Sequence, residues 1–473
     1  MDEGAVVAYA ARVLDGAVPH RDFLTFYGPG NAWVVAGAFA AFGESVLTER
    51  LVGLGYRLVI VMSLFVLGTR VSGLLGGVLA ALVAAPLMAH EVIWAYATYG
   101  AIAFGLLSLA LLAAGAARVA GRGQELLFLG AGIAAGIGVL IRVDSALAVV
   151  SALPLLAFVT WRPRLAYAGG LLAMLSILAV HLVIVGYSRV ERVLGDLVAS
   201  APGRSLPLPE PSSGTGRMLA AGAVATLLLV VVGAIVSMRF PSELRGRVVL
   251  GAGLFAAALI PWTLSRPDIH HVRPLAVVAL SMLPAVGLYA VSRLRLARGA
   301  RVAGVVVIAA LSLSFLLGVV RDAAANVRDL RGIRDAEHSF YGGESDPARA
   351  VVARADRLTK PGESLFVGPQ DLRRTNYGPT YMYFLLRKLE PASYYMEMNP
   401  LTANRAGSGL ADDLSRSDWL ILTTKWDDWD EPNDSSKLGP TEPNDVVRDS
   451  FCVRFESEEY RLYERCERGE RGS

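Results

Sequence analysis

Asp2 and Glu3 stand side by side at the head of the chain, two titratable carboxylates able to exchange protons with their surroundings or simply to be solvated. Apolar residues follow at positions 6, 7, 10, 13 and 14, a helical period with Arg12 on the opposite side. The pattern predicts a short surface helix with the acidic pair at one end. The plainer reading is an amphipathic helix whose acids are merely solvated. A second group, Ser265-Arg266-Pro267-Asp268-Ile269-His270-His271-Val272-Arg273, collects two arginines and two histidines, a set able to grip a phosphate by charge-assisted hydrogen bonds. Adjacent histidines diverge on a helix, and no HxxxH or HxxE spacing accompanies them, so a metal pair is not indicated. An aqueous loop with interfacial anchors accounts for the same residues equally well.

Three smaller groups complete the polar inventory. Arg142-Val143-Asp144 is squeezed between apolar runs, where Arg142 either faces a cavity or pairs with Asp144. Glu91 follows His90 and precedes Trp94, Tyr96 and Tyr99, a set more often an interfacial belt than a sugar platform. Arg57 and His181 lie inside apolar runs, and ionisable groups there are functional candidates by default, although Arg57 can snorkel outward.

These groups are carried by a chain built for a membrane. Of 473 residues 54% are hydrophobic, and the mean hydropathy is +0.46, above what a soluble domain tolerates. From Leu51 to Val320 apolar stretches alternate with short basic punctuation, and beyond Arg321 the composition becomes ordinary. That shift predicts three regions: an external first loop over 1–50, a transmembrane domain over 51–320, and a soluble α/β domain over 321–473. A span needs about 20 apolar residues. Ten candidates qualify: 51–69, 71–89, 97–117, 125–141, 145–161, 166–187, 217–238, 248–264, 275–292 and 302–320. Residues 31–42 are too few to cross and read as an interfacial helix.

Alternate loops then carry twelve arginines against one acid, Glu243, and the positive-inside rule makes those loops cytoplasmic. Ten crossings place both Asp2 and the C-terminal domain outside. The net charge of +3 says little about partners, because the arginines are used for topology and only four of the basic residues are lysine; no nucleic-acid partner is expected. The Arg/Ala/Gly/Val bias fits a GC-rich bacterial genome and a plasma-membrane location.

The tail alternates helix and strand patterns: 347–358, 364–368, 381–389, 393–398, 410–415 and 419–424, then a hairpin of 451–455 with 461–465. Cys452 and Cys466 are the only cysteines. Outside the membrane they either pair or remain two free thiols. The run Trp426-Asp427-Asp428-Trp429-Asp430-Glu431 has the chemistry to touch sugar rings or calcium but lacks the calcium-loop spacing, so a surface loop is the plainer reading. No P-loop, dinucleotide fingerprint or catalytic triad occurs in the tail.

The first thirty residues resemble the opening loop of the GT-C glycosyltransferases that use polyprenyl-phosphate sugars. The branch resembled contains protein O-mannosyltransferases, lipid A aminoarabinose transferases and actinobacterial cell-wall transferases. There an acidic pair leads through a surface helix to a Gly-Asp stretch and a proline motif; here these are Asp2-Glu3, Ala5–Leu14, Asp15-Gly16 with Arg21-Asp22-Phe23, and Tyr27-Gly28-Pro29-Gly30. The resemblance implies an all-α GT-C-like membrane domain of about ten helices, the family's first helix being absent before Asp2, with a small extracytoplasmic α/β domain. It implies a sugar transfer with inversion from a polyprenyl-phosphate donor to a hydroxyl of an envelope glycan, lipid or protein. Asp2 would be the base with Glu3 second; Arg142, Arg266, His270, His271, Arg273 and Arg57 would contact donor phosphate or sugar; Asp22, Tyr27 and Glu91 would face the acceptor. A divalent metal is left open. The rival readings are a carrier or flippase of lipid-linked saccharide and a non-catalytic envelope assembly protein. A carrier should show polar or broken helices at mid-membrane in two related halves, and the sequence has neither.

Overall fold

A computed structural model describes residues 2–89, 93–294, 297–334, 346–375 and 378–467. They fall into two compact units, Leu51–Val180 with Pro207–Gly332, and Met1–Arg50 with His181–Leu206 and Ile333–Ser473. In chain order the helices are α1 (Asp2–Leu14), α2 (Gly30–Phe42), α3 (Val46–Ala89), α4 (Ala97–Ala116), α5 (Arg122–Ile141), α6 (Leu153–Leu156), α7 (Trp161–Val185), α8 (Tyr187–Ser200), α9 (Gly214–Arg239), α10 (Leu244–Ser265), α11 (Ile269–Arg293) and α12 (Arg298–Arg334). The C-terminal part adds α13 (Asp346–Leu358), β1 (Ser364–Pro369), α14 (Tyr381–Leu385), β2 (Glu390–Pro391), α15 (Leu410–Ser415), β3 (Trp419–Thr423), α16 (Glu442–Ser450), β4 (Phe451–Glu456) and β5 (Tyr460–Arg465).

The first unit is a multi-pass membrane domain. Among the described residues seven helices are long and apolar enough to cross a bilayer: α3, α4, α5, α7, α9, α10 and α11. Helix α3 breaks at Ser72 and Gly73, the latter at φ +72°, so the expected segments 51–69 and 71–89 are its two arms. Small residues let neighbours approach closely: a Cβ at Gly132 of α5 would collide with the Tyr167 carbonyl of α7. Leu58, Met62, Leu172 and Leu227 point outward from this unit, as a lipid-facing surface requires. One segment differs from expectation. Residues 145–161 form no long α-helix; a ten-residue 3-10 helix, Val143–Ala152, leads into the single turn of α6. The 3-10 rise of about 2 Å per residue lets ten residues reach about 20 Å, and small side chains (Ser145, Ala148, Ser151 and Ala152) let it pack against α4, α5 and α10. The expected span 302–320 lies within α12.

The second unit joins three distant stretches of chain. Its sheet runs β2-β1-β3-β5-β4, with β2, β1 and β3 parallel and the hairpin β4–β5 antiparallel to them. Strands β1 and β3 are buried almost throughout, as the parallel centre of a sheet must be. Against them pack Leu24 from the first loop and Val193 from α8, alongside Phe366, Tyr395, Met398 and Leu422. The first loop is also stitched by hydrogen bonds: Leu24 N–H donates to the Tyr394 carbonyl, and the Tyr394 hydroxyl to the His20 carbonyl, both at 2.8 Å. Where α1 meets α14, a Cβ at Gly4 would sit 2.6 Å from the Tyr381 nitrogen, which explains glycine after the acidic pair.

Most expected tail elements are present, with two differences. Residues 393–398 form no strand; the pairing falls earlier, at Glu390–Pro391, and Tyr395, Met396 and Met398 are buried as irregular chain. Helix α16 lacks a long apolar period but has Pro443 in its first turn. Cys452 and Cys466 form a disulfide that ties β4 to the residue after β5.

Because Leu24 is 2% exposed within this shared core, Leu24→Ala should destabilise the unit by about 2–5 kcal/mol. Thermal unfolding of the full chain in detergent reads this directly, and an unchanged midpoint would mean that the first loop does not support the sheet.

Candidate functional site

The membrane unit brings Arg142 and the 265–274 group together. Arg142 caps the C-terminus of α5 in extended conformation, where a cation complements the helix dipole. Its guanidinium is pinned by Asp144, with Nε–Oδ1 2.9 Å and Nη2–Oδ2 2.5 Å, and by the Thr98 hydroxyl at 2.6 Å. The same guanidinium lies 5.0 Å from the Trp262 ring centroid, a cation–π contact. Trp262 in turn packs on His271, ring centroids 4.6 Å apart. Asp268 closes the series. It caps α11 by accepting from the His270 and His271 backbone N–H groups, takes the His271 Nδ1–H at 2.8 Å, and accepts from Arg266 Nε at 3.2 Å. Burial opposes the Asp268 charge, but the His271 ring, the His271 backbone N–H and Arg266 outweigh it and hold the carboxyl down to about 2. The His271 ring is thereby held through Nδ1 on Asp268.

The remaining expected residues are placed as follows. His270 is exposed and Arg273 half-buried on the first turns of α11. Arg57 is buried; its Nη1 donates to the Gly53 and Trp94 carbonyls and its guanidinium lies 4.8 Å from the Tyr99 ring, an arrangement that pins the segment before α4. Glu91 and the Asp2 side chain lie outside the described residues. Trp262 and Thr98 were not picked out from sequence: each reads as an ordinary residue of an apolar run, and only the fold sets them against Arg142.

In the second unit Glu3 is fully buried and its two oxygens meet Arg50, Oε1–Nε 2.6 Å and Oε2–Nη2 3.1 Å, so its carboxylate is committed to a bidentate ion pair. Asp22 accepts from Arg21 through both oxygens and from the Val18 N–H, and the Arg21 guanidinium above all holds its carboxyl below the ordinary range. Tyr27 uses its carbonyl, which accepts from His20 Nε2 at 3.0 Å. His20 has φ +66°, a strained value for a non-glycine residue, held by bonds to ring and backbone. Burial drives its imidazole down, so it is neutral at pH 7. Since a carbonyl only accepts, Nε2 carries the hydrogen and Nδ1 accepts from His181 Nε2 at 3.1 Å. His181 also packs edge-on against Trp33, ring centroids 5.3 Å apart. Among the described residues no three His, Cys, Asp or Glu side chains converge as metal ligands would.

No protein-family model matches the chain, and no curated protein matches it by sequence. Solved structures do match over 98% of its length. ArnT from Cupriavidus metallidurans bound to undecaprenyl phosphate is similar with a TM-score of 0.55 at 15% identity, covering 93% of that chain. The apo state of the same protein gives 0.51 at 13% identity, covering 92% of that chain. The Archaeoglobus fulgidus oligosaccharyltransferase in complex with Zn and sulfate gives 0.53 at 11% identity, covering 69% of that chain. The fold is therefore that of the GT-C glycosyltransferases, with a polytopic helical domain and a small C-terminal α/β domain.

Two outcomes follow from this geometry. Glu3→Gln leaves Arg50 buried without its counter-charge and should cost about 3–5 kcal/mol, read as a lower unfolding midpoint; a midpoint equal to the parent's would remove the structural role. For Asp268 the folded carboxyl is held low, so its contribution is complete above the ordinary range near 4 and disappears as pH falls toward 2. Asp268→Ala should lower stability by about 1 kcal/mol at neutral pH, and the difference from the parent should shrink between pH 4 and pH 2 in melts recorded across that window. A difference independent of pH would exclude the ionised cap.

Proposed function

We propose that this protein is an integral-membrane glycosyltransferase that moves a sugar from a polyprenyl-phosphate donor to a hydroxyl of an envelope glycan, lipid or protein on the outer side of a bacterial plasma membrane. The observation that carries the reading is the fold likeness, spanning 98% of the chain, to a structure captured with undecaprenyl phosphate. The alternation of arginine-rich loops supports the outward placement of Asp2 and of the C-terminal domain.

In this reading the acceptor hydroxyl loses its proton to the Asp2 carboxylate as its oxygen attacks the anomeric carbon. The bond from that carbon to the donor phosphate breaks, its electron pair leaves with the phosphate, and the configuration inverts. No protein nucleophile is required. The departing phosphate is the charge to be stabilised, and a preorganised set of donors in a region of low dielectric does this best. Arg142 and Arg266 belong to such a set, being fixed in place by Asp144, Thr98 and Asp268 before any donor arrives. His270, His271 and Arg273 complete it. Glu3, with both oxygens on Arg50, supports the helix that presents Asp2.

Asp2→Asn removes basicity with little change in size and should reduce transfer by about 10²–10⁴-fold with an unaltered melt, whereas Arg142→Ala should raise the donor concentration needed for half-maximal rate. The assay follows radiolabelled sugar from synthetic polyprenyl-phosphate donors into glycan, lipid and protein fractions of membranes. Full transfer by Asp2→Asn would remove it as the base, and failure of every donor with the parent protein would favour the carrier.

A further inference from the structure

Helix α8 has two unlike sides, and only one of them is covered among the described residues. Val193, Asp196 and Ser200, spaced by three and four residues, lie together on one side and are buried. Val193 belongs to the same core as Phe366 and Leu422, and Leu197 packs against the edge of that core. Asp196 is bound by Arg405 at 2.6 Å, and the Arg189 guanidinium lies 4.9 Å from the Tyr394 ring centroid. This side fastens the helix to the C-terminal domain.

The other side is apolar and uncovered. Tyr187, Leu194 and Val198 are 82%, 57% and 74% exposed. Counted from Tyr187, the other two follow after close to two and three full turns, so the three form one stripe along the helix. Glu191 borders the stripe, and beyond it Ser188, Arg192, Gly195 and Ala199 make a small-residue and polar sector that is also exposed. Single exposed apolar side chains need no explanation. Three in register, on a helix whose far side is anchored, mark an interaction surface.

Chain connectivity selects the partner. Helix α8 starts directly after α7, which is long and apolar enough to cross a bilayer, and Gly186 at φ +85° makes the turn between them. Leu182, Val183 and Ile184 on the last turn of α7 are exposed and apolar, as lipid-facing residues are. The stripe therefore begins within a few residues of the bilayer, and a lipid surface reaches it without any further molecule. A tyrosine at the head of the stripe suits the membrane–water boundary, as does Arg192 in the polar sector beside the headgroups. We propose that α8 is an interfacial helix whose stripe of Tyr187, Leu194 and Val198 is sunk into the lipid at the end of α7, while its opposite side holds the C-terminal domain. The partner is the bilayer surface, recognised by burial of apolar side chains. The assignment is independent of the proposed sugar transfer.

The test uses the full chain reconstituted in liposomes of phosphatidylcholine and phosphatidylglycerol. Both native cysteines are in the disulfide, so Leu194→Cys, Val198→Cys, Ser188→Cys and Ala199→Cys each supply a single thiol for a nitroxide label. Power saturation compares collisions with oxygen, which concentrates in the bilayer, and with a water-soluble nickel chelate. Oxygen should dominate at 194 and 198, giving a depth of about 5–10 Å into the headgroup–acyl boundary, and the nickel chelate should dominate at 188 and 199. The four side chains are exposed, so melts equal to the parent's are expected. Tyr187→Cys reads the same stripe if a labelled chain melts early. Nickel access at 194 and 198 equal to that at 188 and 199 would put the stripe in water and overturn the assignment. Exclusion of both reagents at 194 and 198 would overturn it in favour of a protein partner, identified as a second copy where the labels broaden one another.

Discussion

The first fifty residues are too short a segment to make a core of their own, and the architecture follows from where they find one. Short segments that cannot bury enough surface stay disordered unless a larger body supplies it. Here Leu24 enters the layer beneath β1 and β3, and Tyr394 bonds to the backbone on both sides of the loop's tightest turn. Helix α8 contributes Val193 to the same layer, and its buried Asp196 pairs with Arg405 at 2.6 Å. The C-terminal domain is thus the scaffold that gives the N-terminal loop a defined shape, although more than three hundred residues separate them in the chain.

A similar economy operates where α10 meets α11 in the membrane unit. Asp268 serves four donors at once: two backbone N–H groups of α11, the His271 ring and Arg266. The cap begins α11, and the same carboxylate orients the His271 ring and Arg266. Trp262 extends the arrangement to Arg142, so residues from four segments of chain become one preorganised cluster. In the proposed transfer this preorganisation matters, because a charge that develops on a departing phosphate is stabilised most by donors that need no rearrangement.

Local periodicity and composition were sufficient for much of this fold. The apolar runs marked most of the membrane helices, and the alternation of the tail marked β1, β3 and the closing hairpin. What sequence spacing does not encode is which distant residues meet. Glu3 and Arg50 are forty-seven positions apart, and His20 and His181 are separated by 161, yet each pair is in direct contact. The 3-10 segment 143–152 was illegible for a different reason: its composition suits an α-helical span, and the tighter winding is settled by packing against α4, α5 and α10. Arg57 shows the converse, an intramembrane charge that composition marks as functional and that the fold spends on two backbone carbonyls.

In the proposed transfer the acidic pair separates two requirements that one residue would satisfy badly. A general base must keep a lone pair available and change its charge during turnover, whereas a buried carboxylate that anchors a helix must keep its charge and its partner at all times. Glu3 meets the second requirement: its longer side chain reaches Arg50 at the start of α3 and spends both oxygens there. Gly4 lets the helix lie against the Tyr381 backbone, so the start of α1 is held from two directions. In the proposed reading Asp2, one residue earlier on the same helix, is carried by that anchored backbone. The order Asp-Glu-Gly is, on that proposal, a division of labour in which Glu3 and Gly4 fix the helix that carries Asp2.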